Sequence, residues 1–292
     1  MFALIVITMM LPAAFAQEIS FGTPAVQTVK IQIDESGNAH VTHTIKESRS
    51  AQHLTVISND FANLKIYDEN GNSAEYAETG GEKMGLLILP SEDDVIVEYD
   101  LEDAVTQTGK LWSWNYYYLA STIFYLPEGT SLIFANSNPV LLNTVDGVRC
   151  HGCLLKLEYE LQSDEKVQQI TWEDKTFDVR VLTTGQTSEL KFDQPNKMIS
   201  IDILEKDQYV TLAIPKELLW NPYEVFLNEK KVLKHEFYQT EDLVWLNFKP
   251  NETGTVSIIG VSAVPEFPLA TVLVLGAAML VVAKLSGRFS RR

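Results

Sequence analysis

The chain has 292 residues, 46% of them hydrophobic, with a formal net charge of −16 and two cysteines. So acidic a chain is repelled by nucleic acid and by anionic lipid, and nucleic acid is excluded as a partner. Its length exceeds the roughly 100 residues of one β-sandwich and suits two domains.

The first segment, 1–16, is apolar from Phe2 to Leu11, continues through Pro12 and ends in Ala14-Phe15-Ala16. That small-x-small ending after a short apolar run is the pattern of a cleaved signal peptide, with export starting at Gln17. An N-terminal anchor is the competing reading, because no Lys or Arg precedes the run. A span needs about 20 residues, and this run is shorter.

Beyond Gln17 the apolar residues alternate with period two, as half-buried strands require. Val29, Ile31 and Ile33 alternate before a turn at Asp34–Asn38, and Val41 and Ile45 resume after it. Val95, Val97, Tyr99 and Leu101 repeat the pattern, as do Phe177, Val179 and Val181, then Ile199, Ile201 and Ile203, then Val210, Leu212 and Ile214. Val244, Leu246 and Phe248 and the run Val256–Val261 supply the last strands, and Asn70-Gly71, Gly80-Gly81 and Asn228-Glu229 read as turns. Outside the C-terminal run no long segment has a helical period, although Pro215–Leu219 could hold one turn. The expected fold is all-β: two tandem β-sandwich domains, 17–174 and 175–263, followed by one C-terminal transmembrane helix. The boundary is set at the charged Glu173–Lys175, to within about ten residues.

Several residues on these strands carry candidate chemistry. Cys150-His151-Gly152-Cys153 is a CxxC, which can be a redox pair, half a zinc site or a local disulfide. No second ligand pair accompanies it, and its flanks read as strands, so a structural disulfide between Cys150 and Cys153 is expected, with redox or copper chemistry as the alternative. His40 and His43 lie three apart on a strand and face opposite sides, so they cannot share a metal, and His43 reads as a core histidine. Asp68–Asn72 has its glycine at the wrong place for a calcium loop and reads as a hairpin turn. No metal site and no cofactor is expected. Trp112, Trp114, Tyr116 and Tyr118 alternate on one strand face and could form a ligand platform, against the simpler reading that they fill the core. Asn251-Glu252-Thr253 is a triplet open to glycan attachment at Asn251. No GxSxG elbow, HExxH or phosphate loop occurs, and the chain is read as a non-enzyme.

At the C-terminal end, Leu269–Ala283 carries no charge and the span is placed at 269–285. Lys284, Arg288, Arg291 and Arg292 follow it and Glu266 precedes it, which puts the tail, 286–292, inside and the rest outside. Val264-Pro265-Glu266-Phe267-Pro268, then the span, then the basic cluster resembles the PEF-type C-terminal sorting or anchoring signals of archaeal surface proteins. Residues 264–268 form the motif, carried by Pro265, Glu266, Phe267 and Pro268. The stretch from about Phe177 to Val261 also resembles the membrane-proximal β-domain that precedes such tails. The resemblance implies a single-pass cell-membrane protein with its bulk outside the cytoplasm, and it implies no activity. The expected role is non-catalytic: a cell-surface protein for structural, adhesive or ligand-binding contact, with the membrane as one partner and envelope proteins or glycans as others.

Overall fold

The computed structural model describes residues 22–142, 147–161, 165–238, 240–264, 277–279 and 282. The segment 1–16 read above as a signal peptide, Pro265–Pro268 and the basic tail fall outside the described residues. Among the described residues no helix is long and apolar enough to cross a membrane. The run expected to span lies outside them except at 277–279 and 282, which are helical.

The described chain is nearly all β, in open sheets. Alternation produces them directly. In strand Gln27–Ile33, Val29, Ile31 and Ile33 are buried while Thr28, Lys30 and Gln32 are exposed, and its neighbour Ala39–Ile45 buries Ala39, Val41, His43 and Ile45. Each fully buried Val or Ile contributes about 1.5–3 kcal/mol relative to exposure, so a one-residue slip would reverse the favourable face of both strands.

Those two strands sit inside a six-stranded sheet ordered Val148–Cys150, Ser121–Tyr125, Gln27–Ile33, Ala39–Ile45, Val95–Leu101, Ala62–Asp68. Its pairs are antiparallel except Ser121–Tyr125 against Gln27–Ile33, which is parallel. A five-stranded sheet, ordered Asn138–Leu141, Leu132–Ala135, Cys153–Glu160, Leu111–Tyr118, Thr106–Thr108, shares one apolar core with it. A smaller sheet, Thr23–Pro24, Gln52–Thr55, Gly85–Ile88 and Tyr76–Thr79, adds Leu54, Leu86 and Ile88 to the same core.

A second core joins two further five-stranded sheets. One is built from Lys166–Trp172, Lys175–Thr183, Val210–Pro215, Leu243–Phe248 and Lys234–Tyr238, the other from Lys191–Asp193, Met198–Ile203, Gly254–Ile259, Glu224–Leu227 and Lys230–Lys231. Phe177, Val179 and Val181 from the first meet Ile199, Ile201 and Ile203 from the second, a face-to-face packing of inward rows.

The change of core corrects the expected boundary. Trp172 pairs with Lys175, and Glu173 has φ 54°, so Glu173-Asp174 is the two-residue turn of a hairpin whose first strand already belongs to the second core through Ile170. The charge cluster marks a solvated hairpin tip, and the cores change between Glu160 and Lys166. The other turn readings agree with the structure. Asn228 and Glu229 both have positive φ between strands Glu224–Leu227 and Lys230–Lys231, as a type I′ turn requires. The Asp68 carboxylate accepts from the backbone N–H groups of Asn70 and Asn72, closing the hairpin read in the sequence.

The two cores meet through the outer face of strand Cys153–Glu160. Leu155, Leu157 and Tyr159 point into the first core, so Glu158 and Glu160 point away from it. Glu158 is almost fully buried, accepting from Tyr209 Oη at 2.7 Å, Lys156 Nζ at 2.8 Å and Lys249 Nζ at 3.2 Å. The Tyr209 ring stacks on Phe134 at 3.5 Å between centroids and carries Lys249 Nζ 4.3 Å from its centre on the cation–π contact. Leu111 and Leu132 complete this apolar seam.

Candidate functional site

The sheet face that bears this seam continues past it into the open. Tyr117 and Leu154 are cross-strand partners on the same outer face, and both are exposed. One residue beyond Tyr118 the chain crosses from the five-stranded to the six-stranded sheet at Leu119-Ala120, and at Cys150–Cys153 it crosses back. The two crossings lie side by side. Gly152 takes φ 56°, and a Cβ there would meet the Leu119 carbonyl oxygen at 2.8 Å, so the second corner fits against the first only with glycine at that position.

Leu119, 77% exposed, and Val26, 67% exposed, stand on the rim of a groove of about 750 Å³ at this corner. Pro24, His53, Thr55, Tyr117 and Tyr118 line the rest of it. Its surface is mainly apolar, and two of its polar side chains are engaged by groups outside it. His53 Nε2 lies 3.2 Å from Thr79 Oγ1, and Lys83 Nζ donates to the Ile57 carbonyl at 3.0 Å.

Beneath the groove runs a directional chain of hydrogen bonds. Tyr118 Oη donates to the Thr55 carbonyl at 2.6 Å, so its oxygen is left to accept from Gln27 Nε2 at 3.2 Å. That fixes the Gln27 amide with Oε1 toward His43 Nδ1, 2.7 Å away, and because Oε1 only accepts, Nδ1 carries the proton. His43 Nε2 is then the acceptor for Tyr99 Oη at 2.8 Å, whose oxygen accepts from the Ile57 N–H at 3.0 Å. Every member is satisfied with neutral histidine. Burial drives the His43 pKa down to about 3, because a charged imidazole there has lost its water. His43 is therefore the core histidine read from the strand pattern. Tyr99 lies stacked on it at 5.5 Å and Tyr118 edge-on at 5.6 Å.

The aromatic row is corrected by the same geometry. Trp112, Tyr116 and Tyr118 are buried and Trp114 is half-buried, packed edge-to-face on Tyr116 and Phe124, so the row is core and presents no open platform. The exposed ring on this strand is Tyr117, on the opposite face. His40 points away from His43 and places Nδ1 2.6 Å from Asp100. Cys150 ends one strand and Cys153 begins the next, with no helix starting between them. Among the described residues no cysteine is free. His151 Nδ1 lies 3.2 Å from Ser121 Oγ. Asn251 is exposed in a polar turn. Among the described residues no three His, Cys, Asp or Glu side chains group as a metal site.

The groove was not read from the sequence. Leu119 extends the aromatic run by one apolar residue beyond its strand, which is the local signal that could have marked it. Gln27 and Tyr118 come together over 91 residues of chain and give no local signal at all.

No family model matches the chain, and no curated protein matches it. Among solved structures it is similar to an aminopeptidase N family protein from Idiomarina loihiensis, at 12% identity and a TM-score of 0.36, over 52% of this chain and 32% of that one. A likeness of that size carries no argument about function.

Proposed function

We propose that the chain is an exported surface protein held by one C-terminal span, built as two tandem β-sandwich domains. In this reading the first domain carries a non-catalytic binding groove and the second is a spacer. The observation that carries the reading is the groove at Val26, Tyr117 and Leu119: open, mainly apolar, and floored by titratable side chains already committed to one another. Exposed apolar side chains of this kind are what protein partners cover. A glycan would favour several flat aromatic faces, whereas the groove offers one well-exposed ring, Tyr117, among the aliphatic Val26 and Leu119, so an envelope protein is the favoured partner.

The Cys150–Cys153 bridge serves this reading as a structural clip at the corner behind the groove. The strand flanks support the clip over a redox pair, since a reactive thiol draws on a helix N-terminus or a neighbouring cation. Asn251 is open to a glycan without obstructing the groove.

Two measurements test the proposal. Protease added to intact cells should remove everything before the span, and protection of both sandwiches would overturn the orientation. For the groove, Val26→Asp with Leu119→Asp in the full chain should lower retention by isolated host envelopes about tenfold, the equivalent of about 1.4 kcal/mol. Both side chains are already exposed, so the fold should persist. Undiminished retention would remove the groove from the binding surface.

A further inference from the structure

The second core has two ends, and they face different surroundings. Strand Val210–Pro215 starts beside Tyr209 and the Glu158 seam, and strands Leu243–Phe248 and Met198–Ile203 likewise have Phe248 and Ile203 at that end. At the opposite end the chain makes a small separate pairing, Leu219–Trp220 against Ser262–Ala263, with Trp220 opposite Ser262. Val261 N–H donates to the Trp220 carbonyl at 2.9 Å, and Val264 N–H to the Leu218 carbonyl at 3.2 Å. This pairing holds the chain in place up to Val264.

Around that exit the surface is amphipathic. The Trp220 side chain is 55% exposed, although tryptophan is the largest apolar residue the fold could have buried, and Val261 and Tyr238 are exposed beside it. Asn221 Nδ2 donates to Tyr238 Oη at 2.5 Å, and Lys216 Nζ lies 5.3 Å from the Tyr238 ring centre while lining the same hollow as Trp220, so the lysine links the tyrosine to the tryptophan side. Lys197 Nζ donates to the Val261 carbonyl at 3.2 Å. Glu217, Glu241 and Asp242 line the hollow next to Trp220.

Only Pro265 to Pro268 separate Val264 from Leu269, where the uncharged run begins. Five steps of extended chain reach at most about 18 Å. We infer that this end of the second sandwich rests on the bilayer surface, with Trp220, Tyr238 and Val261 at headgroup depth. The inference rests on the span proposed above. Tryptophan and tyrosine settle at that depth because their rings are apolar and their N–H and O–H groups remain hydrated, and lysine reaches from there to water. The three carboxylates beside Trp220 commit the occupant to a zwitterionic lipid surface over an anionic one.

The experiment uses the full chain reconstituted in phosphatidylcholine vesicles brominated on the acyl carbons nearest the headgroup. All five tryptophans lie before Pro265, so quenching reports the exterior and not the span. Emission should fall relative to unbrominated vesicles, by up to the share of one tryptophan in five, and the fall should vanish in Trp220→Phe. A carbonate wash separates the two ideas. Chain stripped from the vesicles overturns the span and this inference together. Chain retained with no Trp220-dependent quenching overturns the inference alone.

Discussion

Lowering the pH from 6.5 to 5 should destabilise the first core by about 1.5–2 kcal/mol through His43 alone, before most carboxylates begin to titrate. The sign follows from the direction of the shift. His43 in the folded chain has a pKa of about 3, far below the ordinary 6.5, so between those values the unfolded chain binds a proton that the folded chain refuses. Stability is full above pH 6.5 and falls as the pH drops toward 3, by up to about 1.4 kcal/mol per unit. The hydrogen-bond chain gives the reason in atoms. A protonated His43 would donate from Nε2 toward Tyr99 Oη, whose oxygen already accepts from Ile57 N–H, and Tyr99 would lose the acceptor for its own proton. Urea unfolding of the full chain in detergent, followed by tryptophan emission, reads the effect. His43→Leu should be less stable at pH 7.5, since it strands Gln27 and Tyr99, yet it should lose the decline between pH 6.5 and 5. Parallel declines in the two proteins would show that His43 charges without cost.

Glu158→Ala should cost about 1–3 kcal/mol, the range for stranding a buried hydrogen-bonding group, because the partly exposed Lys156 and Lys249 regain water when the carboxylate is removed. The substitution leaves Tyr209 Oη without its acceptor and Lys156 and Lys249 without their counter-charge at the seam between the cores. Burial by itself would raise the Glu158 carboxyl, but hydrogen bonds from Lys156 and Tyr209 and the charge of Lys249 outweigh it and hold the pKa below the ordinary value. This contribution is therefore present above the ordinary glutamate range and is lost as the pH falls through the lower folded value. Glu158→Gln keeps an acceptor for Tyr209 and the side-chain volume, so it should fall between wild type and Glu158→Ala in urea midpoint. Equal midpoints for all three proteins would mean that water replaces the carboxylate without loss.

What could be read in the sequence was what neighbours in the sequence decide. Val29, Ile31 and Ile33 show a strand and its buried face because period two is a local property, and Asn228-Glu229 shows a turn because two residues set it. The same alternation placed Trp112, Trp114, Tyr116 and Tyr118 on one face without saying whether that face meets solvent or another sheet, and it meets the first core. Glu173-Asp174-Lys175 looked like a break between domains because a hairpin tip and a linker are both charged and apolar-poor. The groove needed Val26 beside Leu119, and the seam needed Tyr209 beside Glu158, 51 residues away, pairings that only the assembled sheets create.

The parallel pairing of Ser121–Tyr125 with Gln27–Ile33 also sets the order in which the molecule can assemble. Val29 lies opposite Thr122, so the strand Gln27–Ile33, near the start of the described chain, waits for one that follows more than ninety residues later. A chain emerging from its N-terminus can close the Gln27–Ile33 and Ala39–Ile45 hairpin at once, but the outer edge of that hairpin stays bare until Tyr125 has appeared. Closing so long a loop is entropically slow, and an unpaired strand edge is where chains join wrongly. The second core has no such debt: its strands pair with partners in its own half of the chain, from Lys166 to Ala263. Growth from the N-terminus thus leaves an edge of the groove-bearing half bare for longer than any pairing in the second core requires.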